Sequence, residues 1–475
     1  MAFQHGVYIL EKPSELQYAI STSLGVLVAI GTAPTFSAED PQEFALCHTI
    51  QDAEKYLGDY TENWDKYTLN EVVYSHFFQY NISPLVCINV LDKDKHYTAL
   101  PTKTVSNVTT ETKIAITKET IKSSVIITST ATIEDEEVTT TLLQGIDWEF
   151  STEGDSIEIK SVSRIQSGTI EVNLREYDAT KVTSADIIAG IQKVSEVYSR
   201  FQLVPSLIIS PKWSQQSEVI AAMKVAATSE YFNAISIVDI PTNTPYSSVA
   251  SVKQSLNIND SHVICCYPKI ALGGVEYHLS TQLASLMLQV AIRNDQIPYE
   301  SPSNKSLQMD SCIGYENGTF KEVYYTREQA NYLNGLGVVT ALNFAGGWKA
   351  WGNRTSCYPN NSDVKDNMIP IRFMFNWIGN NLVVNYWSQI DSAMTRRFID
   401  SAVNSARIWI AGLVASGALI DGDVEFVESD NSLTNLANGQ LRFRVTITPP
   451  SAAEVITFVQ QYDANALTQL FSSEE

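Results

Sequence analysis

The residues able to do chemistry are few, and their spacing suits little of it. The histidines are His5, His48, His76, His96, His262 and His278, and no two stand at HxxxH or HExxH spacing. A zinc site needs three or four ligands converging on one point. The one stretch that could be drawn that way is Cys265–Cys266, flanked by His262 and His278. Those cysteines lie inside an apolar run, where a reduced, buried thiol is the ordinary role. The histidines then read as strand-edge residues. Phosphate chemistry finds no GxxxxGK[ST] loop, and Gly335, Gly337, Gly346 and Gly347 do not make GxGxxG between a strand and a helix. Serine nucleophile chemistry would want GxSxG, which does not occur. Asp147, Glu149 and Asp155 could be drawn as paired carboxylates, but in a Thr-rich region they read as solvated turn residues. The expectation is no catalytic residue, no metal and no cofactor.

One candidate is left, FAGGWKAWGNRTSCYP at 344–359. Gly346 and Gly347 make a corner, and Trp348 and Trp351 place two amphipathic rings beside it as packing anchors. Arg354 is placed to cap or to pair with an acidic neighbour. This stretch is expected to be a structural corner rather than a reactive loop.

The elements around it read as α/β, multidomain: an α/β core, an inserted all-β domain, a C-terminal α+β assembly domain and extended terminal arms. Residues 1–20 begin as an alternating strand, HGVYILE, stopped by Pro13. An unpaired terminal strand exposes its backbone groups and must find a partner. Residues 21–91 and 180–345 alternate near-continuous apolar strands (24–31, 85–91, LVPSLIIS, AISIVDIP, SHVICCYP, GVVTALNF) with helical stretches, the pattern of a parallel sheet covered on both faces. Ser184 is the expected N-cap of the helix that opens the second part. Residues 92–179 change texture to short Thr-, Ser-, Val- and Ile-rich alternating runs, read as a small all-β domain inserted into the first. Residues 346–462 hold helices at 371–387 and 394–416, a strand LRFRVTITP and a last helix at 451–460, before a polar tail at 463–475. In the second helix Ile399, Ala402, Val403, Ala406, Ile410, Leu413 and Val414 share one face.

The bulk charge narrows the partners. Lys and Arg number 32 against 53 Asp and Glu, a formal net charge of −21. Such a surface repels phosphate backbones and anionic headgroups, so neither nucleic acid nor direct membrane insertion is expected. The longest early apolar run, LGVLVAI, is far below the roughly 20 residues of a spanning helix. The opening residues lack a basic, then apolar, leader pattern, and the cysteines lack CxxC spacing, so a reducing cytoplasm is expected.

The order of these segments resembles the contractile tail sheath proteins of phage tails, bacteriocin particles and related injection systems. WGNRT resembles that family's WGARTL segment. HGVYILEKPS followed by STSLGVLVAIGTAP resembles its N-terminal arm and first strand. IPIRFMFNWIGNNL, SGALIDGDVEF and LRFRVTITPPSAAEVI resemble its C-terminal domain, although Arg372 stands alone where the family often has paired arginines. The resemblance implies a structural, non-enzymatic subunit that polymerises helically around an inner tube and contracts to drive it through a cell envelope. It implies as partners the chain itself, the inner tube protein, and baseplate and tail terminator proteins, in a particle assembled in the host bacterial cytoplasm. Val7, Tyr8, Ile9 and Leu10 are the expected inter-subunit arm. Arg396, Arg397 and Arg407, with Ile408 on the same polar side, are the expected inner-tube contacts, the alternative being that these arginines pair with Asp391 and Asp400. An envelope-degrading enzyme, or a cell-surface binder working through the Thr-rich domain, is the rival function.

Overall fold

The structure is a computed structural model that describes residues 22–471, apart from 134–135, 153 and 230. The continuous apolar runs become the inner strands of one eight-stranded sheet. Across the sheet the order is Phe44–Cys47, Leu85–Asn89, Val26–Gly31, Pro205–Ile209, Ile235–Asp239, Val263–Cys266, Val338–Asn343 and Trp348–Trp351. The six inner strands run parallel. The two edge strands run antiparallel to their neighbours. Strands buried on both faces have no solvent side to alternate towards, which is why their sequences are apolar throughout. Helix Ser184–Gln192 packs against Ser217–Ala227, and Leu279–Arg293 packs against the helical stretch 69–79.

Three local features depart from what the sequence pattern indicates. The cap of the Ser184–Gln192 helix is Thr183, not Ser184: Asp186 Oδ2 accepts the Thr183 backbone N–H at 2.9 Å and its hydroxyl at 2.7 Å. The stretch after Leu69 is helical only to Val73 and continues to Gln79 as a wider π-type turn. A four-stranded antiparallel sheet, built from Lys269–Leu272, Val275–Tyr277, Ser311–Glu316 and Thr319–Val323, was not expected at all.

Between Tyr97 and Tyr177 the described residues are strands and turns with one short 3-10 helix, Lys122–Ser124, and their own core of Ile114, Ile127, Trp148, Ile157, Ile170 and Val172. Asp147 belongs to that interior. It is 0% exposed, its Oδ2 accepts the Leu143 N–H at 2.8 Å, and its carbonyl accepts the N–H groups of Lys160 and Ser161. It ties a turn together and is not a solvated residue. Glu149 is half-buried beside Lys160, and Asp155 is exposed. No helix among the described residues is long and apolar enough to cross a membrane.

Candidate assembly surface

The groups that might have formed a reactive centre are kept apart. Cys265 and Cys266 are fully buried in their strand, and burial raises both thiols above their ordinary range. Among the described residues no cluster of histidine, cysteine and carboxylate ligands forms. His278 instead contacts Glu71, Nδ1 to Oε2 3.0 Å, with the Thr281 hydroxyl donating to the same carboxylate at 2.6 Å. Burial pulls the His278 pKa down, but the Glu71 carboxylate more than offsets this and holds it above the ordinary value. The pair is a buried internal tie.

The Trp-rich stretch is a β-hairpin. Asn343 pairs with Trp348 and Thr340 with Trp351, so 348–351 is the last strand of the main sheet. Gly346 and Gly347 carry φ of 101° and 94°, and glycine takes such values without a Cβ penalty. Trp348 Nε1 donates to the Asp310 carbonyl at 2.8 Å, and Trp351 Nε1 to Asn331 Oδ1 at 3.1 Å. Both rings anchor the edge strand. The boundary expected at 345/346 therefore falls inside a hairpin, and the chain turns away from the sheet only after Trp351.

The true corner spans 352–369. Arg354 bonds Asn367 through Nη1, reaches Glu454 Oε2 through Nη2 at 2.5 Å, and lies 4.9 Å from the Tyr358 ring centre. The Thr355 N–H donates to the Asn367 carbonyl at 2.9 Å, and the Ile369 N–H to the Asn353 carbonyl at 2.8 Å. Lys253 enters from below. Its buried ammonium donates to the carbonyls of Ser356 at 2.8 Å, Tyr358 at 3.2 Å and Leu336. Burial lowers its pKa, and carbonyl dipoles take the place of a carboxylate partner. Nothing in the local sequence marks Lys253, because its partners lie far along the chain.

From the corner runs a central helix, Ile369–Tyr386, with Pro370 in its first turn. Its Asn376, Asn380 and Asn381 are buried against the α/β unit. Asn381 Oδ1 accepts the Ser23 N–H at 2.8 Å, and its Nδ2 donates to the Ser23 carbonyl at 3.2 Å. Asn380 does the same with Asn233, at 2.9 and 2.8 Å, and Asn376 donates to the Ala234 carbonyl at 3.1 Å. Side-chain amides thus stand in for backbone at two strand approaches. The outer helix, Arg396–Ala415, packs on the central one through Trp377–Trp409 rings 5.6 Å apart and a 2.7 Å bond from the Tyr386 hydroxyl to the Ala402 carbonyl.

On the outer helix lies a two-stranded ribbon, Asp421–Glu425 paired with Arg444–Thr448. Gly422 sits against Ile410, where a Cβ would meet Ile410 Cγ2 at 2.6 Å. Each ribbon strand has one edge with no strand partner among the described residues. The expected arginine cluster is split. Arg396 pairs with Asp400 at 3.1 Å on its own helix, whereas Arg407 crosses to Asp423 of the ribbon at 2.7 and 3.0 Å. That hydrogen bond holds the exposed Asp423 carboxyl below its ordinary pKa. Arg397 is exposed with no ion pair among the described residues, and Ile408 is exposed on the same side.

The helix expected at 451–460 does not form. After Pro449–Pro450 the chain is irregular to 463, and Ala464–Phe471 makes 3-10 turns. Val455, Ile456, Phe458, Val459 and Tyr462 project into solvent, Phe458 at 86% exposure. Glu454, at the root of this segment, is the partner of Arg354. The arm residues Val7, Tyr8, Ile9 and Leu10 lie outside the described residues.

No protein-family profile matches the chain. Over 297 residues, 61% of this chain and 73% of the relative, it is 24% identical to a prophage major tail sheath protein of Pseudomonas aeruginosa (strain UCBPP-PA14). Its structure is similar to a chain of the PVC sheath complex, an extracellular contractile injection system, in the contracted state. That TM-score is 0.60 at 12% identity, covering 98% of this chain and 99% of that one. The anti-feeding prophage helical sheath in its contracted state gives 0.58 at 13% identity, covering 96% and 99%.

The fold is that of a contractile tail sheath protein. In this sheath fold the residues that tie the C-terminal part to the sheet are Lys253, Asn380 and Asn381, while Arg354 braces the corner itself through Asn367 and Glu454. The buried asparagines left one trace in the sequence: they belong to four asparagines on one helix, Asn380 and Asn381 adjacent, amid apolar residues.

Proposed function

We propose that this chain is the repeating subunit of a contractile sheath, which polymerises helically around an inner tube and shortens to drive the tube through a target cell envelope. The observation that carries this is the pairing of an open-edged ribbon with an exposed apolar tail on a sheath fold. Such a chain holds two unlike, complementary surfaces, and unlike surfaces build open helical arrays where the rotation between copies does not close into a ring. Neighbours are linked by strand exchange, the arm at Val7–Leu10 and the trailing C-terminal segment adding to ribbon edges of adjacent copies. A six-residue strand would contribute ~3–6 kcal/mol at about 1 kcal/mol net per backbone bond, before ordering costs. Links of that strength hold neighbours while the bodies rotate between two packings, and the driving energy is the difference between those packings.

The outer helix is the face towards the inner tube. Arg397 and Ile408 offer a cation and an apolar contact, and a cation on so acidic a protein suits an acidic partner. The ends of the polymer meet a baseplate and a tail terminator, in a particle assembled in the host bacterial cytoplasm. The Thr-rich insertion faces outward as decoration. The test is negative-stain electron microscopy of the purified chain, alone and with residues 1–20 deleted. Long hollow tubes, lost on deletion, are the expected result. Monomers with no tubes, even with an inner-tube protein added, would sink the proposal.

A further inference from the structure

The α/β unit carries an apolar groove of about 830 Å³ on the side where the central helix ends. Ile191, Val194, Ala222 and Ala226 line it from one side, and Val383 and Val384 from the central helix. Val225, Tyr231 and Trp387 stand on its rim, exposed at 74%, 55% and 57%. Tyr231 and Trp387 meet edge to face at 5.9 Å. A concave apolar surface with aromatic side chains left in water is a surface that something covers.

The N-terminal root of the described chain is at its edge. Ser23 is held by Asn381, and Val384 lies three residues further along the same helix, on the same side. Pro205, which also lines the groove, pairs with Val26 in the sheet. The chain preceding Thr22 therefore starts from the groove's rim. Residues 14–21, SELQYAIS, carry Leu16, Tyr18, Ala19 and Ile20. Eight residues extend at most about 28 Å, enough to lie along such a cavity.

We propose that residues 14–21 occupy this groove in cis, in the same chain. Given the reading of residues 1–20 as an inter-subunit arm, on which this consequence rests, docking sets how far the arm can reach. With 14–21 seated, only residues 1–13 are free to meet a neighbour. Undocking releases a further eight residues of reach without breaking the strand exchange. The competing occupant is the apolar segment around Phe458 of a second copy.

The experiment places cysteines at Gln17→Cys and Val225→Cys in the full chain and treats the unpolymerised protein with a short bis-maleimide. The native cysteines are all buried and do not compete. An internally cross-linked monomer should be the main product at every protein concentration. Adding Leu16→Ser and Ile20→Ser should cut its yield by roughly fivefold or more, the equivalent of losing about 1 kcal/mol of apolar contact. No cross-link, or cross-links only between chains that rise with concentration, would overturn docking in cis. Tube formation scored on the same samples separates the two readings. A cross-linked monomer that never forms tubes keeps the docking and loses the sheath, whereas tubes without the cross-link do the reverse.

Discussion

Asn381→Ala is the sharpest probe of how the C-terminal unit holds the sheet. The side chain is 4% exposed and makes two bonds to one residue, accepting from the Ser23 N–H at 2.8 Å and donating to its carbonyl at 3.2 Å. Its amide also donates to the Trp377 carbonyl at 2.8 Å within its own helix, but that carbonyl keeps its helical partner. Each lost bond is worth about 0.5–1.5 kcal/mol net, so the pair should be worth about 1–3 kcal/mol. Ser23 itself is exposed, so water can take up its freed groups and the cost stays near the lower half of that range. Global melting is a poor readout, because a chain of several units does not unfold in two states. Amide hydrogen exchange on a peptide spanning Ser23 reads the clamp directly. Its N–H should exchange about 5- to 30-fold faster in the variant, with the inner strand Val26–Gly31 little changed. Asn380→Ala should do the same at Asn233 and leave Ser23 alone, which makes each variant the other's control. Unchanged Ser23 protection in Asn381→Ala would show that the clamp carries no energy and that packing alone seats the helix.

Four further outcomes follow from the geometry. Gly422→Ala should loosen the ribbon from the outer helix by about 1–3 kcal/mol, because its Cβ meets Ile410 Cγ2 at 2.6 Å, and limited proteolysis of 421–448 checks it. Arg354→Ala should free the C-terminal segment, seen as faster cleavage at 451–462 with an unchanged core; equal cleavage would make the Glu454 pair incidental. His76 is fully buried, and burial depresses its pKa to about 3. Its contribution is therefore present above the ordinary histidine value and is lost as pH falls from about 6.5 towards 3, so His76→Leu should flatten the acid limb of a stability profile. The raised pKa of His278 acts oppositely: its contribution is full below about 6.5 and lost as pH rises through the folded value. Arg397→Glu should weaken co-sedimentation with the inner tube without changing limited proteolysis of 421–448, whereas Arg407→Glu should also disturb the ribbon through Asp423.

Local pattern was enough for the sheet interior, the alternating strands between Tyr97 and Tyr177 and the outer helix. Strands apolar on both faces, alternating strands, and a stripe at Ile399, Ala402, Val403, Ala406, Ile410 and Leu413 are periodicities written within a few residues, and burial follows them. The edge strands Phe44–Cys47 and Trp348–Trp351 and the sheet between Lys269 and Val323 escaped, since each is short and becomes a strand through a partner. The segment 451–460 failed for the converse reason. SAAE reads as a capped helix start, but an isolated helix of that length is marginal in water. Here no other described residue covers its apolar side chains, and Glu454 is held by Arg354. What the sequence by itself determined was which residues leave water. Which polar groups may leave with them was decided by the tertiary structure. Asn381 reads as a polar residue on a helix until Ser23 arrives from 358 positions away, and Lys253 reads as a surface cation until the corner closes over it. A buried amide or ammonium is tolerated only where distant backbone supplies its hydrogen bonds, and no local pattern encodes that arrival.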